Sequence, residues 1–107
     1  MSVVVRFKKL DHSESLTEYI EEKIEKLIPH CRGEISAHFD ISIQGRKKAV
    51  EFHFKTKLNS YYSKAFSEDY YLSVDVAVNK VLRQVKKHRQ KMRLHKNYAV
   101  SAGREAA

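Results

Sequence analysis

Near the start of the chain, Val3, Val5 and Phe7 alternate with Val4, Arg6 and Lys8. That two-residue period predicts a short, half-buried strand. The period then changes. Leu16, Tyr19, Ile20, Ile24, Leu27 and Ile28 recur at spacings of three and four, which gathers them on one stripe of a helix. Ser13 is the preferred N-cap, its hydroxyl placed to accept a free N–H of the first turn. Ser15 with Glu18 offers a capping box two residues later, so the start is fixed only to that interval. Glu14 and Glu18 stand where the helix dipole favours negative charge, and Lys26 stands at the other end. Pro29 is expected to stop the helix, because the residue before a proline avoids helical geometry.

Alternation returns in the middle of the chain. Ile35, Ala37, Phe39, Ile41 and Ile43 take one face, with Ser36, His38, Asp40, Ser42 and Gln44 on the other; Val50, Phe52 and Phe54 then alternate with Glu51, His53 and Lys55. Gly45-Arg46 between them suits a two-residue type II′ turn with Gly first. With those two as the loop, Phe39 faces Phe52 and Ile41 faces Val50. A one-residue slip would turn one apolar face into water. Lys57-Leu58-Asn59-Ser60 is a second turn, and Tyr61 to Ser67 a fourth strand. Its facing stays open: either Tyr61, Ser63 and Ala65 point inward, or Tyr62 and Phe66 do.

From Asp69 to about Lys96 there is neither Gly nor Pro, and Tyr71, Val74, Val78, Val81, Val85, His88 and Met92 form a sustained helical seam. A helix of that span is roughly 42 Å long at about 1.5 Å per residue. It outruns a four-stranded sheet, so its last turns are expected to project into solvent. Residues 97–107 are small and polar and are expected to form a short flexible tail, which leaves 1–96 as the working domain. The order is β-α-β-β-β-α, an α+β fold. The first two strands flank a helical crossover and are expected to be parallel neighbours. Each strand has one apolar face, so both helices should cover the same face of a four-stranded sheet.

The 107 residues have room for one domain. A single cysteine, Cys31, excludes an internal disulfide framework and fits a reducing, cytoplasmic setting. No run approaches 18 apolar residues, and the N-terminus lacks a basic segment followed by a long apolar one, so neither a membrane span nor a secretory signal is read.

Charge changes the picture more. Lys and Arg number 21 against 13 Asp and Glu, a net +8, which points to an anionic partner. The excess is concentrated. The first helix holds Glu14, Glu18, Glu21, Glu22 and Glu25 against Lys23 and Lys26. The last holds Lys80, Arg83, Lys86, Lys87, Arg89, Lys91, Arg93 and Lys96, with no acid from Lys80 to Lys96. Like charges three or four apart on a helix destabilise it. A fold tolerates that when a partner uses the charge, and phosphates meet such a stripe with release of counterions. Arg83, Arg89 and Arg93 can also grip phosphate bidentately. The candidates for nucleic-acid contact are therefore Lys80, Arg83, Lys86, Lys87, Arg89, Lys91 and Arg93. Lys64 joins them from among Tyr61, Tyr62, Phe66, Tyr70 and Tyr71, aromatics that either fill the core or stack on bases. The stripe prefers RNA to DNA only slightly, and no C₂H₂ spacing, helix-turn-helix pattern or RNP-like motif names a particular module.

Two plainer alternatives stand beside this one. The helix can be a solvated basic surface with no ligand. The domain can instead be an adaptor for an acidic protein, which would need an exposed apolar patch beside the cations, such as Tyr62 and Phe66. An enzyme ranks last. His38 and His53 pair across the hairpin with Asp40 and Glu51 beside them, ligand types that suit a divalent metal, but no fixed-spacing motif accompanies them. Cys31 has no partner constellation for nucleophilic chemistry, and no P-loop or G-x-S-x-G occurs. No catalytic residue, metal or cofactor is expected.

The last third carries a resemblance. Glu68-Asp69-Tyr70-Tyr71-Leu72-Ser73-Val74-Asp75, followed by Lys80-Val81-Leu82-Arg83-Gln84-Val85-Lys86-Lys87-His88-Arg89-Gln90-Lys91-Met92, resembles the signature of the ribosome hibernation promoting factors. These are also called ribosome-associated inhibitors or sigma-54 modulation proteins. Tyr71, Val74, Asp75, Lys80, Arg83, Gln84, Lys87, His88 and Lys91 match it in order and spacing, and Ser13-Glu14 with Leu16 resembles the start of the family's first helix. The resemblance covers about residues 3–96. It implies a sheet-and-two-helix fold like that of double-stranded-RNA-binding domains. It also implies binding to the small ribosomal subunit and its rRNA, and to whole ribosomes, near the decoding centre. There the factor blocks mRNA and tRNA sites under stress, with no catalysis, no membrane and no DNA. Carried over by residue, the rRNA contacts are those named above, and Asp75 would orient a base or cap the helix. The turn between the second and third strands is shorter than in familiar members. The chain also stops soon after the last helix, which resembles the family's short form; the tail does not decide whether paired ribosomes form.

Overall fold

Strand β1 (Ser2–Phe7), helix α1 (Glu14–Glu25), strands β2 (Ser36–Gln44), β3 (Lys47–Lys55) and β4 (Ser60–Ser67), and helix α2 (Tyr70–Val100) follow one another in the expected order, with one turn of 3₁₀ helix at Ile28–His30. The structure, a computed structural model, describes residues 2–31 and 33–100, with side chains as far as Arg89. Strand order in the sheet is β1-β2-β3-β4. Strands β1 and β2 are parallel across the α1 crossover, and the other pairs are antiparallel. The hairpin register pairs Phe39 with Phe52 and Ile41 with Val50, and the two Phe rings stack at 4.2 Å. Gly45 has φ +67° while Arg46 is not among the positive-φ residues, the signs a II′ turn requires.

One face of the sheet carries the core. Ala37, Phe39, Ile41, Val50, Phe52, Phe54 and Ala65 pack there with Leu16, Ile20, Ile24 and Leu27 and with Val74, Ala77, Val78, Val81 and Val85 of α2. Both helices therefore cover the same face. The open facing of β4 resolves: Ser63 and Ala65 are buried, Tyr61 is half-buried, and Tyr62 and Phe66 are exposed. Ser13 is the N-cap of α1, its Oγ accepting from the Leu16 amide at 3.2 Å.

Several details depart from expectation. Helix α1 ends at Glu25, and Pro29 sits inside the following 3₁₀ turn, where its missing N–H costs nothing because first-turn amides lack helical partners. Ile28, in the 3₁₀ turn, and Ile43, next to last in β2, are exposed. In α2, Tyr71 is exposed. Tyr70 turns inward instead, its hydroxyl donating to the Ser42 carbonyl at 3.1 Å. Small residues let α2 approach the sheet closely: Ser63 Oγ donates to the Ala77 carbonyl at 2.8 Å, and Ser73 Oγ to the Lys48 carbonyl at 2.9 Å. Helix α2 continues to Val100, past the expected end at Lys96.

Candidate nucleic-acid interface

The seam Val74, Val78, Val81 and Val85 fixes the orientation of α2, and with it the direction of every cation. At about 100° per residue, Lys80, Gln84 and Lys87 fall on the flank toward β4. Arg83 points outward, and Lys86 and Arg89 fall on the opposite flank, Lys86 in line with Asp75 and Arg89 toward the end of α1. All five cations are exposed. They spread over the outer half of the helix rather than lying in one line. Arg83, Lys86, Lys87 and Arg89 have no acidic ion-pair partner among the described residues. Lys91 and Arg93 fall among the residues whose side chains lie outside the description.

Two contacts tie the β4 flank to the sheet. Lys80 Nζ donates to the Lys64 carbonyl at 2.9 Å, and Gln84 Nε2 to the Tyr62 carbonyl at 3.1 Å. Both acceptors belong to an edge strand, so these side chains also satisfy backbone groups that would otherwise invite another strand. Lys64 itself is half-buried on the open sheet face, 3.8 Å from Glu51 and 5.0 Å from the centre of the Phe66 ring.

The open face is ordered in rows. Arg6, Asp40, Glu51 and Lys64 form one row, and Val4, His38, His53 and Tyr62 the next. Burial works to raise the Asp40 carboxyl, but the His38 ring at 2.9 Å and the Lys8 and Arg6 charges outweigh it and hold its pKa below the ordinary value. The His38 and His53 rings are 6.1 Å apart. Among the described residues no group of three or more His, Cys, Asp or Glu is placed to hold a metal. Of the aromatics, Tyr61 and Tyr70 pack partly against the core, whereas Tyr62, Phe66 and Tyr71 are exposed. Cys31 is half-buried beside Arg89, and burial pushes its thiol up.

Two arrangements carry no local sequence signal. Asp75 neither caps α2 nor faces solvent freely: its Oδ1 accepts from the Tyr19 hydroxyl at 2.6 Å and meets Lys23 Nζ at 3.2 Å. It joins α2 to α1, a contact across 56 residues of sequence that no spacing rule reaches. The role of Gln84 at the β4 edge is likewise visible only in three dimensions.

A mixed four-stranded sheet with two helices on one face and an exposed cationic helix defines a small basic α+β domain. Residues 3–93 match the model of the family described as Sigma 54 modulation protein / S30EA ribosomal protein, and the chain belongs to that family. It is 29% identical over 91 residues to a ribosome hibernation promoting factor of Azotobacter vinelandii, covering 85% of each. It is 26% identical over 102 residues to a ribosome hibernation promotion factor of Lactococcus lactis subsp. cremoris, covering 92% of this chain and 55% of that one. The chain thus spans about half the length of the Lactococcus relative. The N-terminal domain of Thermus thermophilus Protein Y shares the fold, with a TM-score of 0.76 at 24% identity over 82% of this chain and 99% of that one. A ribosomal subunit interface protein from Coxiella burnetii superposes with a TM-score of 0.73 at 26% identity, over 84% and 99%.

Proposed function

We propose that the protein is a ribosome-associated hibernation factor. It binds the small subunit through rRNA near the decoding centre and stops translation by occupying the space of mRNA and tRNA. Family membership over residues 3–93 carries this reading, and the names of the two relatives agree with it. The exposed cations of α2 supply the physical means. Lys80, Arg83, Lys86, Lys87 and Arg89, with Lys91, Arg93 and Lys64, would neutralise phosphates, so affinity falls steeply with salt. The factor acts by steric occupancy in the cytoplasm and uses no catalytic residue or cofactor. No helix among the described residues is long and apolar enough to cross a membrane.

Co-sedimentation with ribosomes and isolated subunits at low and high salt tests this. Comigration with the small subunit and with intact ribosomes, lost at high salt, is the expected result. The triple variant Lys86→Glu, Lys87→Glu, Lys91→Glu should stay folded, because Lys86 and Lys87 are exposed, and should remain at the top of the gradient. Normal comigration of that folded variant would overturn the role given to α2. The adaptor alternative keeps one observation in its favour, the exposure of Tyr62 and Phe66. It predicts binding that survives the removal of rRNA.

A further inference from the structure

We infer that the outer edge of the sheet is a platform for unpaired RNA, with bases stacked on Tyr62 and Phe66 and the strand's phosphates on Lys80 and Lys87. This rests on the RNA-binding reading above and narrows its ligand from RNA in general to a non-duplex segment. Tyr62 and Phe66 are 47% and 48% exposed, although both belong to a strand that contributes its other side to the core. They stand on the open face of β4 with Lys64 between them, about 13 Å apart at roughly 3.3 Å per residue.

Both rings are held. The Tyr62 hydroxyl donates to Glu51 at 3.1 Å and its ring lies 4.8 Å from that of His53, while Lys64 Nζ sits 5.0 Å from the Phe66 centroid. Rings fixed by neighbours lose little freedom when a base stacks on them.

The cations are adjacent by construction. The bonds from Lys80 to the Lys64 carbonyl and from Gln84 to the Tyr62 carbonyl lay the basic flank of α2 along the free edge of the same strand. Lys87 follows Lys80 two turns on, along that flank. Acids on the open face are already engaged: Glu51 by Lys64 and Tyr62, Asp40 by Arg6, Lys8 and His38. A strand of unpaired nucleotides presents π faces and phosphates side by side, which is the pattern this edge complements. An acidic protein would use the rings only as apolar contact, whereas an unpaired strand uses their π faces and the cations beside them together. A duplex keeps its bases stacked inside and cannot reach them.

The test measures binding of a fluorescent 12-nucleotide single-stranded RNA of mixed sequence, and of the same sequence as a duplex, to wild type, Tyr62→Ala/Phe66→Ala and Tyr62→Phe. The double variant should bind the single strand at least tenfold more weakly and the duplex as wild type does, with an unchanged salt slope; Tyr62→Phe, which keeps the ring but loses its bond to Glu51, should fall between wild type and the double variant. Equal loss on both RNAs, or no loss on the single strand, overturns the platform. So does a wild type that binds no single strand, and ribosome co-sedimentation then separates the cases. Comigration that the double variant loses would assign the rings to a ribosomal protein. Comigration kept by both would leave the hibernation reading standing alone. No comigration at all would remove both readings.

Discussion

Replacing Asp75 by Asn tests how the two helices are joined. The carboxylate meets the Tyr19 hydroxyl at 2.6 Å and Lys23 Nζ at 3.2 Å, with Asp75 32% and Lys23 23% exposed. Asn has nearly the same size and helix propensity as Asp, so the change isolates the charge, whereas Asp75→Ala would regain about 0.5 kcal/mol of propensity and mask part of the loss. The Tyr19 bond falls from a charge-assisted one of about 1.5–3 kcal/mol to a neutral one of about 0.5–1.5 kcal/mol. The part-exposed Lys23 pair adds about 0–1 kcal/mol. The expected cost is about 1–2 kcal/mol, at about 4–8 °C of Tm per kcal/mol for a domain near this size. Thermal and urea unfolding followed by circular dichroism would read it. Tyr19→Phe should destabilise by a similar amount, and the double variant by less than the sum, because the two groups form one contact. An unchanged Tm for Asp75→Asn, or strict additivity in the cycle, would refute the clamp. Loss of ribosome binding by a folded, equally stable Asp75→Asn would return Asp75 to the RNA-facing role the family signature implies.

Other outcomes follow from the same geometry. Donating to the Asp75 carboxylate raises the pKa of both Tyr19 and Lys23. Their contribution is complete below about pH 10 and is lost as pH climbs through the raised folded values, so Tm should fall more steeply above pH 10 in wild type than in Asp75→Asn. Asp40 is lowered, so its contribution is present above the ordinary carboxylate range and lost as pH falls through the lower folded value. Urea midpoints between about pH 5 and 2 should therefore drop more in wild type than in Asp40→Asn. Gly45→Ala meets no atom within 4 Å but is forced to φ +67°, which should cost about 1–2 kcal/mol in urea unfolding.

The hairpin and the valine seam were legible because each rests on a period that a single buried face enforces. A slip at Phe39–Phe52 or a rotation at Val78 would put apolar surface into water. The facing of β4 was not legible, because Tyr61 and Tyr62 are equally apolar neighbours and the deciding residues are Ser63 and Ala65, whose small size admits α2. Hydrophobicity gives little weight to Ser63, Ser73 or Ala77, yet all three are buried where helix meets sheet. The same limit placed Tyr71 in the seam in place of Tyr70. At the candidate site, the cations were visible as composition, but their division between the β4 flank, the outer surface and the α1 flank depends on which side of α2 is buried. The contact of Lys80 with Lys64 needs the sheet edge as well.

The cations of α2 impose a cost on the free protein that its valines outweigh. Lys80–Arg83, Arg83–Lys86, Arg83–Lys87 and Lys86–Arg89 are like-charge pairs three or four residues apart, together unfavourable by about 1–2 kcal/mol at low salt. Burial of Val74, Val78, Val81 and Val85, each at 3% exposure or less, returns about 1.5–3 kcal/mol apiece, so the helix holds. Salt then acts with opposite sign on folding and on binding. Raising ionic strength from about 0.01 M to 0.3 M shrinks the screening length from about 30 Å to below 8 Å. It should raise Tm by a few degrees while weakening RNA affinity by orders of magnitude. Replacing Arg83 and Lys86 by Gln should flatten both responses together, since both arise from the same charges. A Tm that falls with salt, or a variant that loses the binding response yet keeps the stability response, would show that the repulsion and the phosphate contacts belong to different residues.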